Sequence, residues 1–235
     1  MSATGFDDES TLTTGDGRGG LRRFRDAREA GRALAAALIK YEGRDDVFVL
    51  ALASGGVHVA AEVAARLGAP LDVVLLRRLF VPRGAGDPVC AFMVGGTLFL
   101  DEGVPPRVDS PASGAEFFLT DALDGLARRE RECRGARPPV ALARKTVLLV
   151  DNGVRTGSTM LAAVRAVRAF DPARVVAAAP VASPESVEAV EAATDEFVRL
   201  ECPHPFGHVG VWYEKFERPD DARIRETLER AARGG

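Results

Sequence analysis

The chain has 235 residues, 46% hydrophobic and 28% charged, which excludes a disordered, collagenous or membrane-embedded polypeptide and leaves room for one sizeable core. Its 31 Lys and Arg against 34 Asp and Glu give a net charge of -3, so no general nucleic-acid surface follows from the totals. The three cysteines, Cys90, Cys133 and Cys202, lie far apart with no CxxC pair, which argues against a disulfide framework and fits a reducing cytoplasm.

Residues 1–20 are acidic, rich in Gly, Ser and Thr, and lack an apolar leader core; they read as a flexible arm before one domain over 21–235. No run reaches the roughly eighteen apolar residues that a membrane span needs. Ala27, Ala30, Leu34, Ala37, Leu38 and Tyr41 recur at steps of three and four and predict an amphipathic helix stopping at Gly43. Residues 47–52 (VFVLAL) form a short continuous apolar run, the pattern of a strand buried on both faces. An ASGG turn at 53–56 follows, then a helix over 57–67 ending at Gly68, and a second buried strand over 71–76 ending in Arg77-Arg78.

Residues 80–103 hold two apolar stretches joined by glycines and read as a hairpin or mobile flap. After a Pro/Ser patch, one polar-faced helix is expected before Pro139, with Arg128, Arg129, Glu130, Arg131 and Glu132 as a solvated face. A strand over 146–150, a helix over 159–170, a strand over 175–180, a helix opened by Ser183-Pro184-Glu185, and a fifth strand over 197–200 complete the series. The alternation predicts an α/β fold: a central, mainly parallel sheet of about five strands with helices on both faces, plus a flap and a small hood from the chain ends. Ligands of such sheets sit outside the carboxyl ends of the strands.

The segment 145–170 is the richest in chemistry. Its strand ends in Asp151, and the following loop has Gly153 and Gly157 to admit a ligand near the backbone, with Thr156, Ser158 and Thr159 adding hydroxyls ahead of a helix N-terminus. Such a loop suits an anion. The G-x-x-x-G-x-T spacing is not a dinucleotide fingerprint, and with no Lys after the second glycine it is not a Walker loop. A plainer alternative has Asp151 capping a turn and Ser158 capping the helix. Cys202, His204 and His208 invite a zinc reading, but Pro203 and Pro205 deny a helical face and no fourth ligand is near, so no protein-held metal is assigned. His58 reads as a packed or surface histidine.

VLLVDNGVRTGST, residues 147–159, resembles the signature of the type I phosphoribosyltransferases: a buried strand, two adjacent acids and a short Gly/Thr loop. The likeness extends over about residues 21–218 and is similar to the stand-alone bacterial phosphoribosyltransferase-domain proteins of uncertain substrate. The resemblance implies a transferase that uses phosphoribosyl pyrophosphate, with Mg2+ arriving on the diphosphate. It implies that Asp151 holds the ribose, with Asn152 at the place of the second acid, and that Val154, Arg155, Thr156, Gly157, Ser158 and Thr159 surround the 5′-phosphate, with Gly153 a substrate-binding residue beside them. Ser54, Gly55 and Gly56 would receive pyrophosphate together with Arg77 and Arg78, and Arg78 joins Asp151 and Asn152 as the catalytic set. A tight turn and an exposed strand end are the plainer readings of those two segments.

The same resemblance makes residues 80–103 a closing catalytic loop with Pro82, Gly84 and Gly86 at its tip, and residues 202–216 a hood over the base. Phe206, Trp212 or Tyr213 could stack on that base, Trp212 being the one assigned to binding. The expected protein is a cytoplasmic enzyme of nucleotide metabolism, homodimeric like many relatives, with no nucleic-acid or membrane partner and an unnamed acceptor. Two departures stand out: Asn152 replaces the second acid, and Arg155 occupies the position where hypoxanthine-type members carry an aspartate base. They leave open a regulatory protein that binds phosphoribosyl pyrophosphate or a nucleotide without turnover, and a hydrolase of a phosphorylated pentose.

Overall fold

The computed structural model describes residues 23–79, 89–94, 96–100, 115–135, 137–138 and 140–233. The strands are β1 (Val47–Leu52), β2 (Leu71–Leu79), β3 (Val89–Val94), β4 (Thr97–Leu100), β5 (Thr146–Val150), β6 (Arg174–Val181) and β7 (Glu196–Glu201). They form one sheet in the order β4-β3-β2-β1-β5-β6-β7. The five apolar runs read from the sequence are its five parallel strands, with Leu52 beside Val74 and Ala51 beside Val150.

The sheet has seven strands where about five were expected, because both apolar stretches of 80–103 pair onto its edge. Leu76 lies opposite Phe92 in an antiparallel ladder, and β4 doubles back on β3 with Phe92 opposite Phe99. Ala91, Met93 and Val94 are buried, so these stretches extend the core and do not hang free of it. The expected tip, with Pro82, Gly84 and Gly86, lies outside the described residues, as does the arm at 1–20.

The helices are α1 (Ala27–Ala37), α2 (Ala53–Leu67), α3 (Ala115–Arg134), α4 (Ser158–Arg168), α5 (Pro184–Ala193) and α6 (Asp221–Arg233). Alternate strand residues feed two cores. Val49, Ala51, Val73, Leu75, Leu148 and Val150 face α1, α2, α3 and α6, while Leu50, Leu52, Val74, Val147 and Leu149 face α4 and α5. Each such Val or Leu contributes about 1.5–3 kcal/mol by leaving water. The continuous apolar runs follow from that two-sided burial. No helix among the described residues is long and apolar enough to cross a membrane.

Three local differences from the sequence reading have clear causes. The ASGG segment is the first turn of α2 and not a separate turn; the first helix ends at Ala37, with a 3-10 turn over Ile39–Tyr41. Glu130 is not solvated: it is 4% exposed, bonded to Arg134, which also donates to Asp72 at 2.8 Å. One turn of α3 thus faces a buried acid on β2, and the charged run closes an internal ion triad. No element was expected at 221–233, yet α6 packs Ile224 and Leu228 into the first core, with Asp220 accepting from the N–H of Arg223 at 2.9 Å.

Candidate functional site

At the carboxyl edge of the sheet, β5 runs into Asp151, whose N–H still donates to Ala178 of β6 at 3.1 Å. Its Oδ1 accepts from the Asn152 N–H at 2.8 Å. Asp151 is partly exposed, and lines a cavity of about 340 Å3 bounded by the 153–157 loop, Thr159 and Met160 on one side and by His208, Val209, Gly210, Phe216 and Arg218 on the other. Burial pushes the Asp151 carboxyl up to about 7, with the Asn152 N–H lowering it in part.

The loop after Asp151 is pinned at its base and open at its tip. Val154 bridges to Ala182; its N–H donates to Val181 at 2.9 Å and its carbonyl accepts from Ser183 at 2.8 Å. Ser183 Oγ also donates to the Arg155 carbonyl while capping α5. Val154 is therefore buried, and its N–H, expected to face an anion, is committed to β6. No acceptor among the described residues takes the N–H of Arg155, Thr156 or Gly157. Gly157 caps α4 with a φ of +78°, a left-handed conformation that suits glycine, and the first N–H groups of α4 lie beyond it unpaired within the helix. Thr156 and Ser158 hydroxyls stand 3.1 Å apart at the mouth. The available donors are those of Arg155–Thr159, a nest at a helix start fitted to a phosphate.

Gly153 sets how closely the hood approaches. A Cβ there would come within 2.7 Å of Val209 and 2.8 Å of Val181, so only glycine admits both neighbours. The hood has its own small core of Phe24, Phe206, Trp212 and Tyr213. Trp212, expected to stack on a base, is 5% exposed and donates its indole N–H to the Phe206 carbonyl at 3.0 Å. It packs the hood and does not line the cavity. Phe206 and Tyr213 are buried as well. The aromatic wall is Phe216, together with His208 and Arg218, none of which the sequence reading assigned to binding. The hood segment was found, but not which of its rings turns inward.

The start of α2 reaches the same edge. A Cβ at Gly55 would meet Asn152 Nδ2 at 2.8 Å, and one at Gly56 would meet the Val150 carbonyl at 2.5 Å, so these two glycines let α2 abut the Asp151–Asn152 corner. Ser54 and Gly55 thereby present first-turn N–H groups, which no helical carbonyl takes, beside the carboxylate, while Gly56 opens the helical ladder. Arg77 is not brought into the cavity. Its Nη1 donates to the Ala122 carbonyl of α3 at 3.3 Å. For Arg78 only the backbone is described, paired with Cys90.

Residues 130–215 match the family model described as Phosphoribosyl transferase domain. The Mycobacterium tuberculosis proteins "Putative phosphoribosyl transferase Rv0571c" and its counterpart MT0597 are each 34% identical over 213 residues, 91% of this chain and 48% of theirs. The chain thus spans about half the length of the curated relatives it matches. The crystal structure of TT1426 from Thermus thermophilus is 41% identical, with a TM-score of 0.70, covering 88% of this chain and 97% of that one. The loop that holds Asp151 falls inside the matched domain, and the chain belongs to the phosphoribosyltransferase family.

Proposed function

We propose that this chain transfers the phosphoribosyl group of phosphoribosyl pyrophosphate to an acceptor base, as a cytoplasmic homodimeric enzyme of nucleotide metabolism. The observation that carries the reading is the position of Asp151, between open N–H groups on one side and the hood on the other. A 5′-phosphate sits on Arg155–Thr159, the vicinal ribose hydroxyls donate to the ionised Asp151, and the acceptor lies under the hood. Pyrophosphate leaves toward the first turn of α2 at Ser54, Gly55 and Gly56, with Arg77 and Arg78 on the neighbouring strand. Such a reaction passes through an oxocarbenium-like state, and the protein's part is to position the ribose, receive the leaving group and exclude water.

Magnesium in this reading travels on the diphosphate and neutralises its charge. Asp151 is the carboxylate lining the cavity, and a single acid beside a ligand's hydroxyls fits a substrate-borne ion. Arg155 cannot take a proton at neutral pH, so transfer to 6-oxopurines is weak or absent, and Arg155 adds positive charge near the phosphate instead.

A second reading, a sensor that binds phosphoribosyl compounds without turnover, is favoured by Asn152, since the amide beside Asp151 brings no second charge toward a magnesium-bound substrate. Pyrophosphate release from phosphoribosyl pyrophosphate with magnesium and a panel of bases separates the readings. Release that depends on a base supports transfer, binding without release supports the sensor, and release without any base indicates hydrolysis.

A further inference from the structure

We infer that the acceptor is an aromatic ring bearing an anionic substituent, held by Arg218 against the face of Phe216. The inference rests on the phosphoribosyl-transfer reading of the same cavity and narrows its acceptor.

Charge is the first argument. The cavity has one carboxylate, Asp151, against the two guanidinium groups of Arg155 and Arg218, with His208 beside them. Arg155 belongs to the phosphate loop, where N–H groups and hydroxyls already provide for one anion. Arg218 comes from the opposite wall, at the hood. Neither arginine has an acid within ion-pair distance among the described residues. Asp26, Glu217 and Asp220 line an adjoining groove of about 500 Å3 that shares Arg218, yet none of them pairs with it. A cavity with surplus positive charge on the side away from the phosphate favours a ligand with a second anion there.

Geometry is the second. The Phe216 ring lies over Gly210, where an added Cβ would stand 3.1 Å from it, and is backed by the Tyr213 ring at 5.6 Å between centroids. It is a fixed wall with the area of one aromatic ring. The Arg218 guanidinium sits over that ring, 5.9 Å from its centroid, on an exposed side chain free to swing. A planar ring laid on Phe216 would bring a carboxylate at its edge within the reach of the guanidinium fork, a geometry that arginine meets with two parallel bonds. A neutral ring would gain the stacking and leave the fork in water.

Product nucleotides test this without requiring turnover. Calorimetry on the full chain would compare nicotinate mononucleotide with nicotinamide mononucleotide, and orotidine with uridine 5′-monophosphate, taking ribose 5-phosphate as the reference. The acidic member of each pair is expected to bind about tenfold tighter or better. Arg218→Ala should erase that preference while leaving the neutral nucleotides and ribose 5-phosphate unchanged, and Arg218→Lys should keep part of it. Equal binding within both pairs, with ribose 5-phosphate still bound, overturns the anionic acceptor and leaves the phosphoribosyl site standing. Equal weakening of every ligand by Arg218→Ala also overturns it, because Arg218 would then act on the phosphate or the fold. Failure of ribose 5-phosphate itself to bind overturns both readings.

Discussion

The Tyr213 hydroxyl donates to the Asn152 carbonyl at 2.5 Å, which ties the hood to the residue that follows Asp151. Tyr213 is 2% exposed, and burial, followed by the nearby Asp151 charge, raises its pKa, so the hydroxyl remains a donor at every pH of interest. Tyr213→Phe keeps the ring and removes the bond, leaving a buried carbonyl unpaired. The expected cost is about 1–3 kcal/mol in denaturant unfolding. Affinity for ribose 5-phosphate should fall with it; full stability and full affinity in the variant would mean that the bond does not organise the site.

Asp151 should make ligand binding and stability respond to pH in opposite senses. Its carboxyl is raised from 3.8 to about 7 by burial, so the folded protein holds this proton more tightly than the unfolded chain. The protonated group costs little below pH 4; the cost of ionising it grows as pH rises from about 4 to 7 and is constant above. Asp151→Asn should therefore gain stability over the parent across that window, by on the order of 2–4 kcal/mol at pH 8, and match it at pH 4. Affinity for ribose 5-phosphate, which needs the ionised carboxylate, should fall as pH drops from 7 to 5 more steeply than affinity for inorganic phosphate, whose own ionisation is similar. Parallel curves for the two ligands would remove Asp151 from the ribose.

Phosphate added to the isotopically labelled protein should move the amide signals of Arg155–Thr159 first. Val154, whose N–H is spent on Val181, should move little and exchange with solvent slowly. Shifts centred on Val154, or on β2, would place the anion elsewhere.

Gly153→Ala should push Val209 and Val181 apart, since its methyl carbon would lie 2.7 and 2.8 Å from them. Overpacking of this kind costs about 1–3 kcal/mol. Combining it with Val209→Ala should recover part of the loss, because the second change removes one of the two clashing side chains. Simple additivity of the two substitutions in thermal unfolding would show that Val209 is not the neighbour that Gly153 accommodates.

The parallel sheet was legible because its strands are buried on both faces, which writes Val47–Leu52 and Thr146–Val150 as unbroken apolar runs. The antiparallel pair β3 and β4 was harder to read, since nothing in VCAFMV or TLFL says which edge they join, and the surrounding glycines suggest a free loop. In α3, Glu130 looked solvated because the triad it closes through Arg134 is completed by Asp72, which is distant in sequence and on another element. The Asp151 loop could be read from local chemistry alone. The acceptor wall could not: Trp212 and Phe216 are one helical turn apart in sequence, and only the packing of Phe24, Phe206 and Trp212 turns one ring inward and leaves the other in the cavity.

Phe24 pairs with the hood through its N–H to Trp212 and its carbonyl from Glu214, both at 2.8 Å, while Arg25 accepts from Lys215 at 2.9 Å. A segment that precedes β1 thus waits for one made about 190 residues later before the wall over Asp151 can close. The sheet and the phosphate loop can form on the ribosome ahead of that closure. Ligand affinity should consequently appear as a late, separate event in refolding, after the core strands are protected, and a ligand present from the start should speed nothing until Lys215 is in place.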